Sequence, residues 1–193
     1  LVYLGHVPIE AAGIAIQGHT AYVTTGRTNT LAIYDISVPA VPSPQGTFDA
    51  GDGAWDVIVQ GDYAYVHTWD YFIAVDVSDP DAPVMADRLD FGSSDVATGM
   101  FADGPYIYLS RTDNNLYRID VSNPHDLQWD WGYLGAYYAW DGAGRNQIGY
   151  LASAVFQGGL EIVALDAFPN SPEPAITRLG GLPTAALSYG IEL

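Results

Sequence analysis

Three sets of side chains in this 193-residue chain could do chemistry. Four aspartates, Asp35, Asp76, Asp120 and Asp166, recur in the phrases DISVP, DVSDP, DVSNP and DAFP. One carboxylate per phrase, joined by Asp79 and Asp81, offers the oxygen ligands that Ca2+ prefers. The same carboxylates can instead close Asx turns by accepting backbone N–H groups. Their spacing fits neither an EF-hand nor an RTX pattern, so the turn role is the expectation. The second set is His6, His19, His67 and His125, which would suit zinc or iron if three converged. The third is aromatic and charged: Trp55, Asp56, His67, Trp69, Arg111, Trp140 and Asp141. Aromatic rings beside carboxylates can stack on a sugar or cage a cationic group.

What positions these residues is a repeat. GHTAYV from Gly18 returns as GDYAYV from Gly61, as GPYIYL from Gly104 and, more loosely, as NQIGYL from Asn146. The matched tyrosines Tyr22, Tyr65, Tyr108 and Tyr150 are spaced 43, 43 and 42 residues apart. A period in the low forties, with strand-like text in each unit, indicates a β-propeller of four-stranded antiparallel blades. In the second unit WDVIVQ, YAYVHT, YFIAVDV and VMADRLDF read as strands one to four, with alternating apolar residues. SDPDAP from Ser78 is a loop, because proline gives no N–H to a ladder. The units cover residues 10–50, 53–92, 95–135 and 138–182, about four complete blades. Further strands are expected at 1–7 and 186–193. Two stray strands fill no whole blade, so the chain is expected to belong to a larger ring of about six to eight blades.

Blade geometry then sorts the candidates. His19 and His125 fall on one face of the disc and His67 on the other, which rejects a histidine-ligated metal. The tyrosines sit mid-strand and are expected to pack between blades. The 4–1 links and 2–3 turns form the opposite face. They present Glu10, Asp52, Trp55, Asp56, His67, Trp69, Asp70, Asp95, Arg111, Asp113, Trp140 and Asp141. In propellers that face commonly binds ligands. Two readings stand for its tryptophans: a ligand platform, or covers packed over the blade ends. Asp56 and Asp141 could serve a central cation, but Gly13 and Gly99 hold the matching places in the other blades. A metal-dependent hydrolase or oxidoreductase at the channel mouth is the alternative function.

Composition narrows the partners. Twenty-three acids against six bases give −17, and lysine is absent. Such a surface repels nucleic acid and acidic membranes. It fits a salt-adapted host or a secreted protein that meets cations. The absence of cysteine removes disulfides, thiolate metal sites and thiol catalysis. No apolar run is long enough for membrane insertion as a helix.

The D-[IV]-S-x-P phrase directly after LAIYD or FIAVD, together with AYV, resembles the LVIVD repeat. That family occurs mostly in bacterial and archaeal cell-surface or secreted proteins. The fourth unit departs, with Phe168 in place of serine. The resemblance implies a propeller scaffold and an extracellular setting, and it carries over no catalytic residue and no cofactor. The expected function is a non-enzymatic module for protein or glycan binding, or for assembly with further blades of the same parent protein.

Overall fold

The computed structural model describes residues 4–92, 97–113, 115–133, 139–153, 159–165 and 178–183. Among these residues there are sixteen β-strands and no helix. They form four separate antiparallel sheets, each a four-stranded meander in chain order. Such sheets are the blades of a β-propeller.

The chain divides into two compact units, Leu1–Ser93 and Ser94–Leu193. In the first unit, blade one holds β1 (Gly13–Gln17), β2 (Thr20–Thr24), β3 (Thr30–Asp35) and β4 (Ser43–Asp49). Blade two holds β5 (Asp56–Gln60), β6 (Tyr63–His67), β7 (Tyr71–Asp76) and β8 (Val84–Asp90). In the second unit, blade three holds β9 (Ala97–Asp103), β10 (Tyr106–Arg111), β11 (Asn115–Asp120) and β12 (Gln128–Tyr133). Blade four holds β13 (Ala139–Arg145), β14 (Ile148–Ser153), β15 (Gly159–Ala164) and β16 (Arg178–Pro183).

Residues 4–7, expected to be strand, are irregular, and Ile9 N–H bonds back to the Val7 carbonyl at 2.9 Å. There the chain folds against the loop after β3, because Gly5 lies so close to the Ala40 carbonyl that a Cβ would approach it to 2.6 Å. Residues 1–3 and 186–193 lie outside the described residues.

In each unit the tyrosine face of the first blade packs on an aliphatic face of the second. In the first unit Tyr22, Leu31 and Ile33 form one cluster with Val57, Ala64, Val66, Ile73 and Val75. In the second unit Phe101, Tyr108 and Leu116 meet Leu151, Val163 and Leu165. Burial of one such aliphatic side chain stabilises by about 1.5–3 kcal/mol. The buried tyrosines titrate late: desolvation pushes the Tyr65 and Tyr108 phenols up to about 12. A polar staple repeats at the rim of each pair. Gln17 Nε2 donates to the Gly61 carbonyl at 2.8 Å, and Gln147 N–H donates to Asp103 Oδ2 at 2.6 Å. The 1–2 turn of blade four needs positive φ, and Asn146 adopts 54° where Gly18 and Gly61 stand in the first two blades.

Candidate functional site

The link from β4 to β5 is held from several sides. Asp49 Oδ1 accepts the Gly51 N–H at 2.9 Å, and Asn29 Oδ1 accepts the Gly53 N–H at 2.8 Å. Gly26 N–H donates to the Ala54 carbonyl at 2.6 Å, and Trp55 N–H to the His67 carbonyl at 3.0 Å. The turn from β6 to β7 is closed by Thr68, whose Oγ1 accepts the Tyr71 N–H at 2.9 Å. These bonds bring Trp55 and Trp69 edge to face, with ring centroids 4.8 Å apart and planes at 70°. Gly53 permits this convergence. A Cβ there would lie 2.6 Å from Trp69 Nε1 and 2.8 Å from Trp55 Nε1, and its φ is +35°.

Trp69 remains 40% exposed. The Trp55 indole N–H is buried and has no hydrogen-bond partner among the described residues. Beside the pair, burial and the Asp70 carboxylate push the Asp52 carboxyl up, partly offset by a hydrogen bond from the Asp70 backbone. The result is an aromatic pair rimmed by two acids that repel each other.

The remaining candidates divide differently. Asp56 Oδ1 accepts the Val57 N–H at 2.8 Å and packs on Gly13, where a Cβ would approach that oxygen to 2.7 Å. Asp141 repeats the arrangement in the second unit. Its Oδ1 accepts the Gly142 N–H at 2.8 Å, and a Cβ on Gly99 would stand 2.9 Å from the Asp141 nitrogen. Glycine in one blade thus makes room for the aspartate start of the next. His67 and Arg111, expected on the presented face, are instead buried at 3% and 2% exposure. His67 pairs across the sheet with Asp56 and Phe72, and Arg111 lies 5.7 Å from the Tyr117 ring centroid. Trp140 is 38% exposed.

The repeated aspartates close turns. Asp35, Asp76 and Asp120 each accept the N–H two residues on, from Ser37, Ser78 and Ser122, at 2.7, 2.9 and 2.9 Å. The Ser37 backbone and hydroxyl hold the Asp35 carboxyl below its usual range. Asp166 lies outside the described residues. Among the described residues, no three His, Asp or Glu side chains are grouped to hold a metal ion.

One constellation escaped the sequence reading. In the second unit a cavity of about 410 Å³ is lined by Asp103, Gly104, Pro105, Tyr106, Tyr108, Arg118, Asn146, Gln147 and Leu165. A second hollow of about 230 Å³ continues past Tyr106 and Arg118 to Asp120, Gln128, Trp129 and Asp130. Arg118 is gripped by Asp130, Nε to Oδ1 at 3.0 Å and Nη2 to Oδ2 at 2.5 Å. Its guanidinium carbon lies 4.9 Å from the Tyr106 ring centroid. The available signal was a departure from the repeat: Ile33 and Ala74 occupy the place of Arg118 in the first two blades.

Four-stranded blades, with an Asx turn closing the third strand of the first three, define the class: a repeat-built β-propeller. The LVIVD repeat model matches residues 10–50, 51–90 and 96–128, and the chain belongs to the LVIVD repeat family. No curated protein sequence matches it.

Among solved structures it is similar to a functionally unknown protein from Desulfotomaculum acetoxidans, at TM-score 0.72 and 15% identity over 94% of this chain and 58% of that one. It is similar to BamB from Moraxella catarrhalis, at TM-score 0.58 and 16% identity over 81% of this chain and 46% of that one. A 6-phosphogluconolactonase-like protein from Bacteroides uniformis gives TM-score 0.68 and 13% identity over 90% of this chain and 57% of that one. The chain thus spans about half the length of these structures, and at such identities they share its fold alone.

Proposed function

We propose that this chain is a non-catalytic binding module of an extracellular or cell-surface protein, which engages a protein or carbohydrate partner. The observation that carries this reading is the Trp55–Trp69 pair rimmed by Asp52 and Asp70. Link and turn positions are normally polar, and an exposed tryptophan held there by a fixed backbone suits recognition. Its chemistry favours a cationic group, such as a lysine or arginine side chain of a partner protein. Aromatic faces attract cations by about 0.5–2 kcal/mol, more as water is excluded. Adjacent carboxylates and a net charge of −17 add attraction and steering.

The extracellular setting is supported by the family resemblance, and the acidic composition is compatible with it. The lactonase-like neighbour does not favour catalysis here, since its likeness is one of fold. Asp56 and Asp141, which hold matching places in blades two and four, are engaged in packing on glycine and in backbone hydrogen bonds.

The test is titration of the chain with a tetralysine peptide, followed by tryptophan fluorescence and by indole N–H resonances. Saturable shifts at Trp55 and Trp69, abolished in Trp69→Ala and weakened by salt, are expected. Titration that leaves both indoles unmoved overturns the reading. Localisation is tested by protease shaving of cells that express the parent protein, where loss of the intact domain is expected and full protection overturns the surface assignment.

A further inference from the structure

The third blade departs from its siblings where the scaffold has least need of it. Ile33 in β3, 1% exposed, packs into the apolar seam between blades one and two. Ala74 in β7 is fully buried. The matching residue of β11 is Arg118, whose side chain is 20% exposed and paired with an Asp130 that is 31% exposed. Exchange of an aliphatic contact for a partly buried ion pair rarely strengthens a fold, because desolvation offsets the attraction. The pair therefore calls for another explanation.

Its surroundings supply one. The 410 Å³ cavity lies within the usual size of a small-ligand site. Leu165 and the half-buried Tyr106 give it apolar surface, and Arg118 lies against the Tyr106 ring. In the flanking turns Gly104, Asn146 and Gln147 take φ of 63°, 54° and 63°. The Asp103–Gln147 bond ties one turn to the other at 2.6 Å. Around the single guanidinium stand Asp103, Asp120 and Asp130, so an anion would meet more repulsion than attraction. Carboxylates accept hydroxyl hydrogens, while the guanidinium and side-chain amides donate to hydroxyl oxygens. A polyhydroxylated ring with apolar C–H faces satisfies both kinds of surface.

We propose that the cleft between blades three and four, walled by Tyr106 and the Arg118–Asp130 pair, binds a small neutral saccharide. This site is separate from the tryptophan pair, and its test does not depend on that one. The 193-residue chain is titrated with glucose, galactose, N-acetylglucosamine, maltose and cellobiose, with glucuronate and inorganic phosphate as anionic comparators. Binding is followed by amide resonances and calorimetry.

At least one neutral sugar should shift the amides of Gly104, Tyr106, Asn146 and Gln147 while Trp69 stays unmoved, and the anions should bind more weakly. The double variant Arg118→Ile with Asp130→Leu replaces the ion pair by two apolar side chains, the first of them the residue that blade one carries there. It should melt at or above the wild-type temperature and bind the sugar at least about tenfold more weakly. Arg118→Lys, which keeps the charge but not the two-pronged geometry, should also bind more weakly without a change in melting. The proposal is overturned if no neutral sugar moves these amides at millimolar concentration, if the anions bind as well, or if either folded variant binds like the wild type.

Discussion

Replacement of Gly99 by alanine gives the sharpest test of how the blades are packed. Gly99 lies in β9 against the backbone that opens β13. A Cβ there would stand 2.5 Å from the Trp140 carbonyl oxygen, 2.7 Å from its carbon and 2.9 Å from the Asp141 nitrogen. None of these atoms can rotate away, because all belong to the main chain. Ordinary contact requires the two strands to part by roughly 1 Å, which strains the bonds that hold Ala139: its N–H to Ser110 Oγ at 2.9 Å, and its carbonyl to the Thr98 hydroxyl. Overpacking of this kind costs about 1–3 kcal/mol. Alanine recovers about 0.5–1 kcal/mol because it restricts the unfolded chain. The net loss is about 0–2.5 kcal/mol against the wild type, and about 1–3 kcal/mol, or roughly 2–12 °C in Tm for a chain of this size, against a glycine-to-alanine control that shares the gain. Thermal melting by circular dichroism measures it, with Gly180→Ala as the control. Among the described residues no atom lies within 4 Å of a Cβ placed on Gly180, so that variant should melt no lower than the wild type. If Gly99→Ala melts within a degree of Gly180→Ala, the close contact between blades three and four is not as described.

Four further outcomes follow from charge and burial. Asp35→Ala should lower Tm at neutral pH, with the gap closing below about pH 4, because a carboxyl held low stabilises only while ionised. Asp52→Asn should do the reverse. Its carboxyl is raised, so the ionised form opposes folding at neutral pH, and the gain should fade as acid protonates the wild type. In ultraviolet absorbance titration Tyr65 and Tyr108 should ionise only near pH 12, with stability falling between about pH 10 and that value as the unfolded phenols ionise first. Tm should rise from dilute buffer to molar NaCl as salt screens the carboxylate repulsion, and a flat profile would count against salt adaptation.

The strands were legible because their period and punctuation agree. YAYVH alternates, Gly61 supplies the turn, and the proline of SDPDAP stops the third strand, so β6 and β7 fall where the alternation puts them. The Asx role of Asp35, Asp76 and Asp120 was equally legible, since the phrase itself holds both the carboxylate and the N–H that it caps. Burial of His67 and Arg111 was not legible. Both sit at strand ends, which read as rim positions, yet both are almost fully buried. The Arg118 cleft was missed for a different reason: a search for repeats weighs what recurs, and this site consists of what does not.

Repetition within one chain is an internal control on function. Where the blades agree or complement one another, the residue is explained by packing. Gly13 faces Asp56, and Gly99 faces Asp141, so two carboxylates that could have signalled a metal site are accounted for as the fit of one blade to the next. Gly26 belongs to the same logic, because a Cβ there would meet the Trp55 ring at 3.2 Å. Where a blade departs at a cost that packing does not repay, another demand on the chain is the remaining explanation. Trp69 stands where blade one has Gly26 and blade three has Thr112, and Arg118 stands where its siblings have Ile33 and Ala74. Neither residue is needed to close a sheet or fill a seam, since sibling blades do both without it. An exposed indole and a partly desolvated guanidinium both lower the solubility or stability of a scaffold unless a ligand meets them. These two places are therefore where a partner should be sought before any position that all the blades share.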